Sequence, residues 1–188
     1  MGLLAVTVMS LAACSASASS PSVATLLGAG TTEYRQGAYD AAAQLFQQAL
    51  KKAPDDATAY FDLGSVYQAE HMDQQALQQY AMALRDDPDL SAAVYNQATI
   101  YASKNVPLAI FLYRKVISMQ ADSPTAYLNL GLLEAQQGQK AGAGVHLREA
   151  VKLDPVLRAN IPAADAADLS LPPPHAITRS APPSTLAP

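Results

Sequence analysis

Chemistry in this chain would have to come from three histidines and one cysteine, and their spacing assembles no catalytic set. His71, His146 and His175 stand on separate segments. The sequence contains no HExxH pair, no paired cysteines, no Gly-rich phosphate loop and no nucleophile elbow. Glu70-His71-Met72-Asp73 reads as a turn with an incidental acid–histidine pair, where metal binding is not expected. Gly142-Ala143-Gly144 falls on a predicted helix and is no phosphate cradle, and His146 reads as a helix-surface residue. Cys14 has no internal disulfide partner, so its position is the informative property. The expectation is a protein with no enzymatic activity, no metal and no cofactor.

The elements that carry these residues are helical. Half of the 188 residues are hydrophobic, enough to bury one continuous core. Ala and Gln are abundant, and both lose little side-chain entropy in a helix. Charged residues make up 15%, the formal net charge is −4, and no stripe of Lys and Arg forms. Nucleic acid is therefore excluded as an expected partner.

A repeat organises the middle of the chain. Gly30, Gly64, Ala98 and Gly131 stand 34, 34 and 33 residues apart. Ala42, Ala76 and Ala143 follow at one fixed offset, and Phe46, Tyr80 and Leu147 at another. Ala49, Ala83, Val116 and Ala150 come next, then Pro54, Pro88 and Pro155 in three of the units. Apolar residues at i, i+3, i+4 and i+7 give each helix one buried stripe. Small residues let paired helices approach, and Tyr or Phe fills the space beside them. A fixed period of this length means stacked units, none able to bury its apolar face alone. The third unit departs, with Gln97 at an otherwise leucine position, one residue fewer near Asn105-Val106-Pro107, and no closing proline.

This pattern resembles the tetratricopeptide repeat, most clearly through Tyr60, Leu63, Gly64, Tyr67, Ala76, Tyr80, Ala83, Leu84 and Pro88. The resemblance covers residues 23–157 and implies an all-α, right-handed α–α solenoid. Its four helix-turn-helix units would be 23–56, 57–90, 91–123 and 124–157. In such folds the first helices of successive units line a concave groove that takes an extended peptide or a partner helix. The groove positions here would be Leu27, Tyr34, Phe61, Asp62, Ser65, Tyr95, Asn96, Thr99, Leu128, Asn129 and Leu132, with Thr31, Arg35, Thr58, Gln68 and Gln136 beside them. The surface is half apolar and weakly charged, which suits a peptide or helix better than an anionic ligand. The family's carboxylate-clamping positions are Leu27, Thr31, Asp62, Ala92 and Asn96 here, so that activity does not carry over. Asn96 and Asn129 share one repeat position. Either they form a ladder that hydrogen-bonds a peptide backbone, or they hydrate and brace adjacent helices.

The amino terminus reads as an address. Leu3 to Ala13 is an almost unbroken apolar run, too short to span a bilayer but right for the core of a signal peptide. Leu11-Ala12-Ala13-Cys14 resembles the lipobox of bacterial lipoproteins. That resemblance implies cleavage of residues 1–13 and lipidation of Cys14, with 14–22 as a flexible tether. Met1-Gly2 brings none of the Lys or Arg with which such leaders open; a true start upstream of Met1 would supply them. Residues 158–188 would form a short cap and then a Pro-rich disordered tail, through Pro172-Pro173-Pro174 and Ala181-Pro182-Pro183.

Taken together, the expected function is a non-catalytic scaffold, lipid-anchored to a bacterial cell membrane and facing the periplasm or the exterior. It would bind a protein or peptide partner in cell-envelope assembly or secretion. The alternative is a self-associating structural module, a homo-oligomer with an empty groove.

Overall fold

The apolar stripes produce eight helices among the described residues, 20–163 and 165 of the computed structural model. The apolar leader, Cys14, most of the tether and the Pro-rich tail lie outside the described residues. The helices run α1 (Val23–Arg35), α2 (Tyr39–Lys52), α3 (Ala57–Ala69), α4 (Asp73–Asp86), α5 (Ser91–Tyr101), α6 (Val106–Met119), α7 (Pro124–Gln136) and α8 (Lys140–Leu153). The fold is an all-α solenoid of consecutive helix pairs, with α1 on α2, α3 on α4, α5 on α6 and α7 on α8. Weaker contacts join each pair to the next, as expected where units touch only their neighbours.

Local chemistry sets the helix ends. Ser22, Asp56 and Asn105 accept hydrogen bonds from the backbone N–H of Thr25, Ala59 and Leu108, satisfying first-turn donors that lack a helical partner. Between paired helices the chain turns through a left-handed residue: Gly37 (φ 77°), His71 (φ 59°) and Gly138 (φ 74°). The shortened third unit manages without one. There α5 ends at Tyr101, Asn105 caps α6, and Pro107 sits in its first turn, where a missing N–H costs nothing.

The repeated small residues sit where helices cross most closely. A Cβ added to Gly30 would lie 2.6 Å from the Phe46 ring, and one added to Gly64 would lie 2.7 Å from the Tyr80 ring. At Gly131 the obstacle is Leu147, again at 2.7 Å. Phe46, Tyr80, Tyr113 and Leu147 are almost completely buried along the array. Beyond α8, a 3-10 turn (Pro155–Asn160) closes the fourth unit, folding Leu157 and Ile161 over Leu128, Leu147 and Ala150. Among the described residues, this turn covers the end of the fourth unit with two apolar side chains.

Candidate binding groove

The first helices α1, α3, α5 and α7 carry the groove positions, and one position recurs with a definite job. Asn96 Nδ2 donates to Tyr80 Oη at 2.9 Å, and Asn129 Nδ2 donates to Tyr113 Oη at 3.2 Å. Each asparagine thus ties the first helix of its unit to the second helix of the unit before. Tyr80 Oη in turn donates to Gln68 Oε1 at 2.6 Å, and Asn129 reaches Tyr95 Oη at 2.9 Å. Burial raises the pKa of both buried hydroxyls, Tyr80 and Tyr113, keeping them neutral partners. Of the two readings of these asparagines, the geometry realises the brace: their amide donors hold neighbouring helices.

Asp62 holds the same place in the second unit, but the residue sixteen before it is Phe46, which has no hydroxyl to tie. Its carboxylate accepts no hydrogen bond and enters no ion pair among the described residues. It faces a cleft of about 250 Å³ between α1 and α3, with Thr31, Tyr34, Arg35, Phe46, Phe61 and Ser65 as the other walls. Burial, helped by the charge of Asp56, pushes the Asp62 pKa up from 3.8 to about 6. The folded chain therefore holds this proton more tightly than the unfolded one. Ionised Asp62 costs stability above pH 6, and that cost is relieved as pH falls from 6 towards 4. Tyr34 is also raised, by burial first and then by Tyr39 and Asp62.

A second hollow of about 200 Å³ opens where α5, α6 and α7 meet, lined in part by Ser91, Tyr95, Asn96, Gln120 and Thr125. The expected groove residues thus separate into groups. Tyr34, Phe61, Asp62 and Ser65 share the first cleft, and Tyr95 and Asn96 the second. Thr99 is exposed beside them, its hydroxyl 3.2 Å from Tyr113 Oη. Leu128 departs from expectation: it is only 6% exposed, because the closing turn folds over it. Leu132 packs against the same cluster, and Leu27 lies partly buried among Leu26, Ala49 and Leu50. Asn129 is committed to its two tyrosines.

Family models match this arrangement twice, as TPR repeat over residues 30–70 and as tetratricopeptide repeat over residues 100–158. This chain carries tetratricopeptide repeats. Among solved structures, it is similar to the crystal structure of MamA at 25% identity, with 74% of this chain and 81% of that one covered and a TM-score of 0.66. TTC0263, a thermophilic TPR protein in Thermus thermophilus, matches at 21% identity over 80% and 84%, TM-score 0.63. YrrB, described as a TPR protein with an unusual peptide-binding site, matches at 17% over 77% and 81%, also at 0.63. The last two likenesses establish the fold. No curated protein matches the chain significantly.

One constellation in the tetratricopeptide array escaped the sequence. Glu134 on α7 is an acidic side chain that is only 1% exposed. Arg114 Nη2 of α6 donates to its Oε1 at 2.7 Å, and His146 Nδ1 of α8 lies 2.7 Å from its Oε2. A carboxylate only accepts, so Nδ1 carries the hydrogen. Gly142 makes room, since a Cβ there would sit 2.9 Å from Oε2. His146 is therefore no simple surface residue. Its 23% exposed ring joins α8 to α7 and also lies 6.0 Å from Tyr127. Among the described residues, no three His, Cys, Asp or Glu side chains gather as a metal site, and no helix is long and apolar enough to cross a membrane.

Proposed function

We propose that this chain is a non-catalytic scaffold that binds an extended peptide or partner helix along the first helices of its tetratricopeptide units. The observation that carries this reading is the cleft between α1 and α3. There Tyr34 and Phe61 offer aromatic surface beside Thr31, Ser65 and Asp62, a mixture suited to apolar anchoring with polar orientation. The peptide-binding site named for the structurally similar YrrB supports the same reading. A Phe61→Ala, Tyr95→Ala chain is expected to lose a partner captured by the native chain from envelope extracts, with its helical circular dichroism kept. Retention of that partner by the double variant would end the groove reading.

The scaffold is anchored at the envelope through lipidated Cys14, a proposal that rests on Leu11-Ala12-Ala13-Cys14. A Cys14→Ala chain should lose globomycin-sensitive processing and membrane association. Recovery of the native protein in the soluble fraction with residues 1–13 still attached would overturn the anchor.

Self-association is the second reading, favoured by Phe111 and Val145. These are 62% and 57% exposed at corresponding places on α6 and α8. Light scattering distinguishes the two. A concentration-dependent dimer that survives Phe61→Ala and Tyr95→Ala but not Phe111→Ser would favour self-association.

A further inference from the structure

We infer that the cleft between α1 and α3 selects a peptide carrying a lysine or arginine side chain, whose cationic head pairs with Asp62 while its stem lies on Phe61 and Tyr34. The inference rests on the groove reading and names the chemistry that the groove prefers.

Asp62 is an exception within a repeated device. At the same register Asn96 and Asn129 donate their amides to Tyr80 and Tyr113, whereas Phe46 leaves Asp62 with nothing to brace. No fully buried side-chain oxygen or nitrogen among the described residues lacks a partner. The unpartnered Asp62 oxygens must therefore be reachable from the cleft. An anion in such a place, partly stripped of water and flanked by aromatic rings, offers what a long cationic side chain needs: a carboxylate for the head and apolar surface for the methylenes.

The groups that face Asp62 are few. α1 brings Tyr34 and Arg35, α2 brings the non-titrating Phe46, the start of α3 brings Asp56, and α4 brings Tyr80. Both tyrosines are neutral, and Asp56 adds negative charge. Arg35 lies on the cleft wall but forms no ion pair with Asp62, so the carboxylate is available to an outside cation. The raised pKa agrees with this: a group that is costly to ionise alone regains that cost when a cation arrives.

The test uses the purified full chain and fluorescent, terminally blocked hexapeptide pools with Lys, Arg, Gln, Leu or Glu fixed at a central position. The Lys and Arg pools should bind about tenfold more tightly than the Gln pool at pH 7.5, the size expected of one charge-assisted contact. Asp62→Asn should abolish that preference, bringing the Lys and Arg pools level with the Gln pool on the same variant. The variant should fold, because Asn already serves at this register in two other units. The preference should also shrink in the native chain as pH falls below 6, and Asp62→Asn should show no such trend. Equal binding of all pools would overturn the Asp62 assignment and leave the groove reading standing. Tighter binding of the Glu pool would transfer recognition to Arg35 and overturn it too. Binding of no pool at all would remove the groove reading and this inference with it.

Discussion

A Gly64→Leu chain is expected to lose about 3 kcal/mol of stability or more, the upper range for forcing extra carbons into a filled core. The space it would need is already taken. Even a single added carbon lies 2.7 Å and 2.8 Å from two atoms of the Tyr80 ring, and 3.3 Å from Gln79 Cβ. The ring cannot simply swing aside, because it is buried completely and its hydroxyl is held by Gln68 and Asn96. The helices α3 and α4 must part instead, which also loosens the seat of α5. A chain whose total stability is on the order of 5–15 kcal/mol would be seriously weakened. Thermal unfolding followed by circular dichroism should show a midpoint lower by about 10 °C or more. If overpacking is the cause, Tyr80→Ala in the same chain should give back part of the loss, so the double variant costs less than the sum of the singles. Strictly additive losses, or an unchanged midpoint, would refute this account.

Removing both partners of Glu134 should be at least as damaging. An Arg114→Leu, His146→Leu chain strands a carboxylate with 1% exposure, a change of the kind that costs about 3–5 kcal/mol. Either single change should cost less, since one charge-assisted contact remains. Arg114 in particular is 57% exposed, so water screens its pairing. The decisive comparison adds Glu134→Leu to the double variant. With the charge gone, apolar packing beside Gly142 should bring stability back to within about 1 kcal/mol of the native chain, because a buried ion pair is seldom better than a fitted hydrophobic replacement. Urea titrations of the three variants measure this directly. A double variant as stable as the native chain would show that the carboxylate finds water or another donor.

The sequence showed what depends on backbone proximity. Gly30, Gly64 and Gly131 repeat because helices must touch there, and each proves to lie against the ring or leucine expected beside it. The all-α solenoid followed from that register. What depends on side-chain direction across units was less legible. Asn96 and Asn129 share a repeat position, but whether an amide points outward or back towards the previous unit depends on helix rotation, which the period alone leaves open. A signal was present all the same: Tyr80 with Asn96 and Tyr113 with Asn129 share one spacing, and at that same spacing Phe46 with Asp62 replaces both partners. Leu128 looked like a groove residue because nothing in the sequence announced that Leu157 and Ile161 would fold over it. Glu134 stayed hidden because its partners lie 20 residues before and 12 after, on two different helices.

The unequal ties between units have a mechanical consequence. The second unit is fastened to the third through Asn96, and the third to the fourth through Asn129 and again through Arg114 and Glu134. The first joint has no such fastening, since Phe46 and Asp62 replace the hydroxyl and the amide. Viewed as a spring, the solenoid is joined in two ways: its later joints carry polar side-chain ties, whereas the first is held by apolar packing of Ala42 and Phe46 on Leu63 and Val66. A ligand seated in the cleft that holds Asp62 would touch both α1 and α3, and so would add a polar tie at the one of these joints built without it.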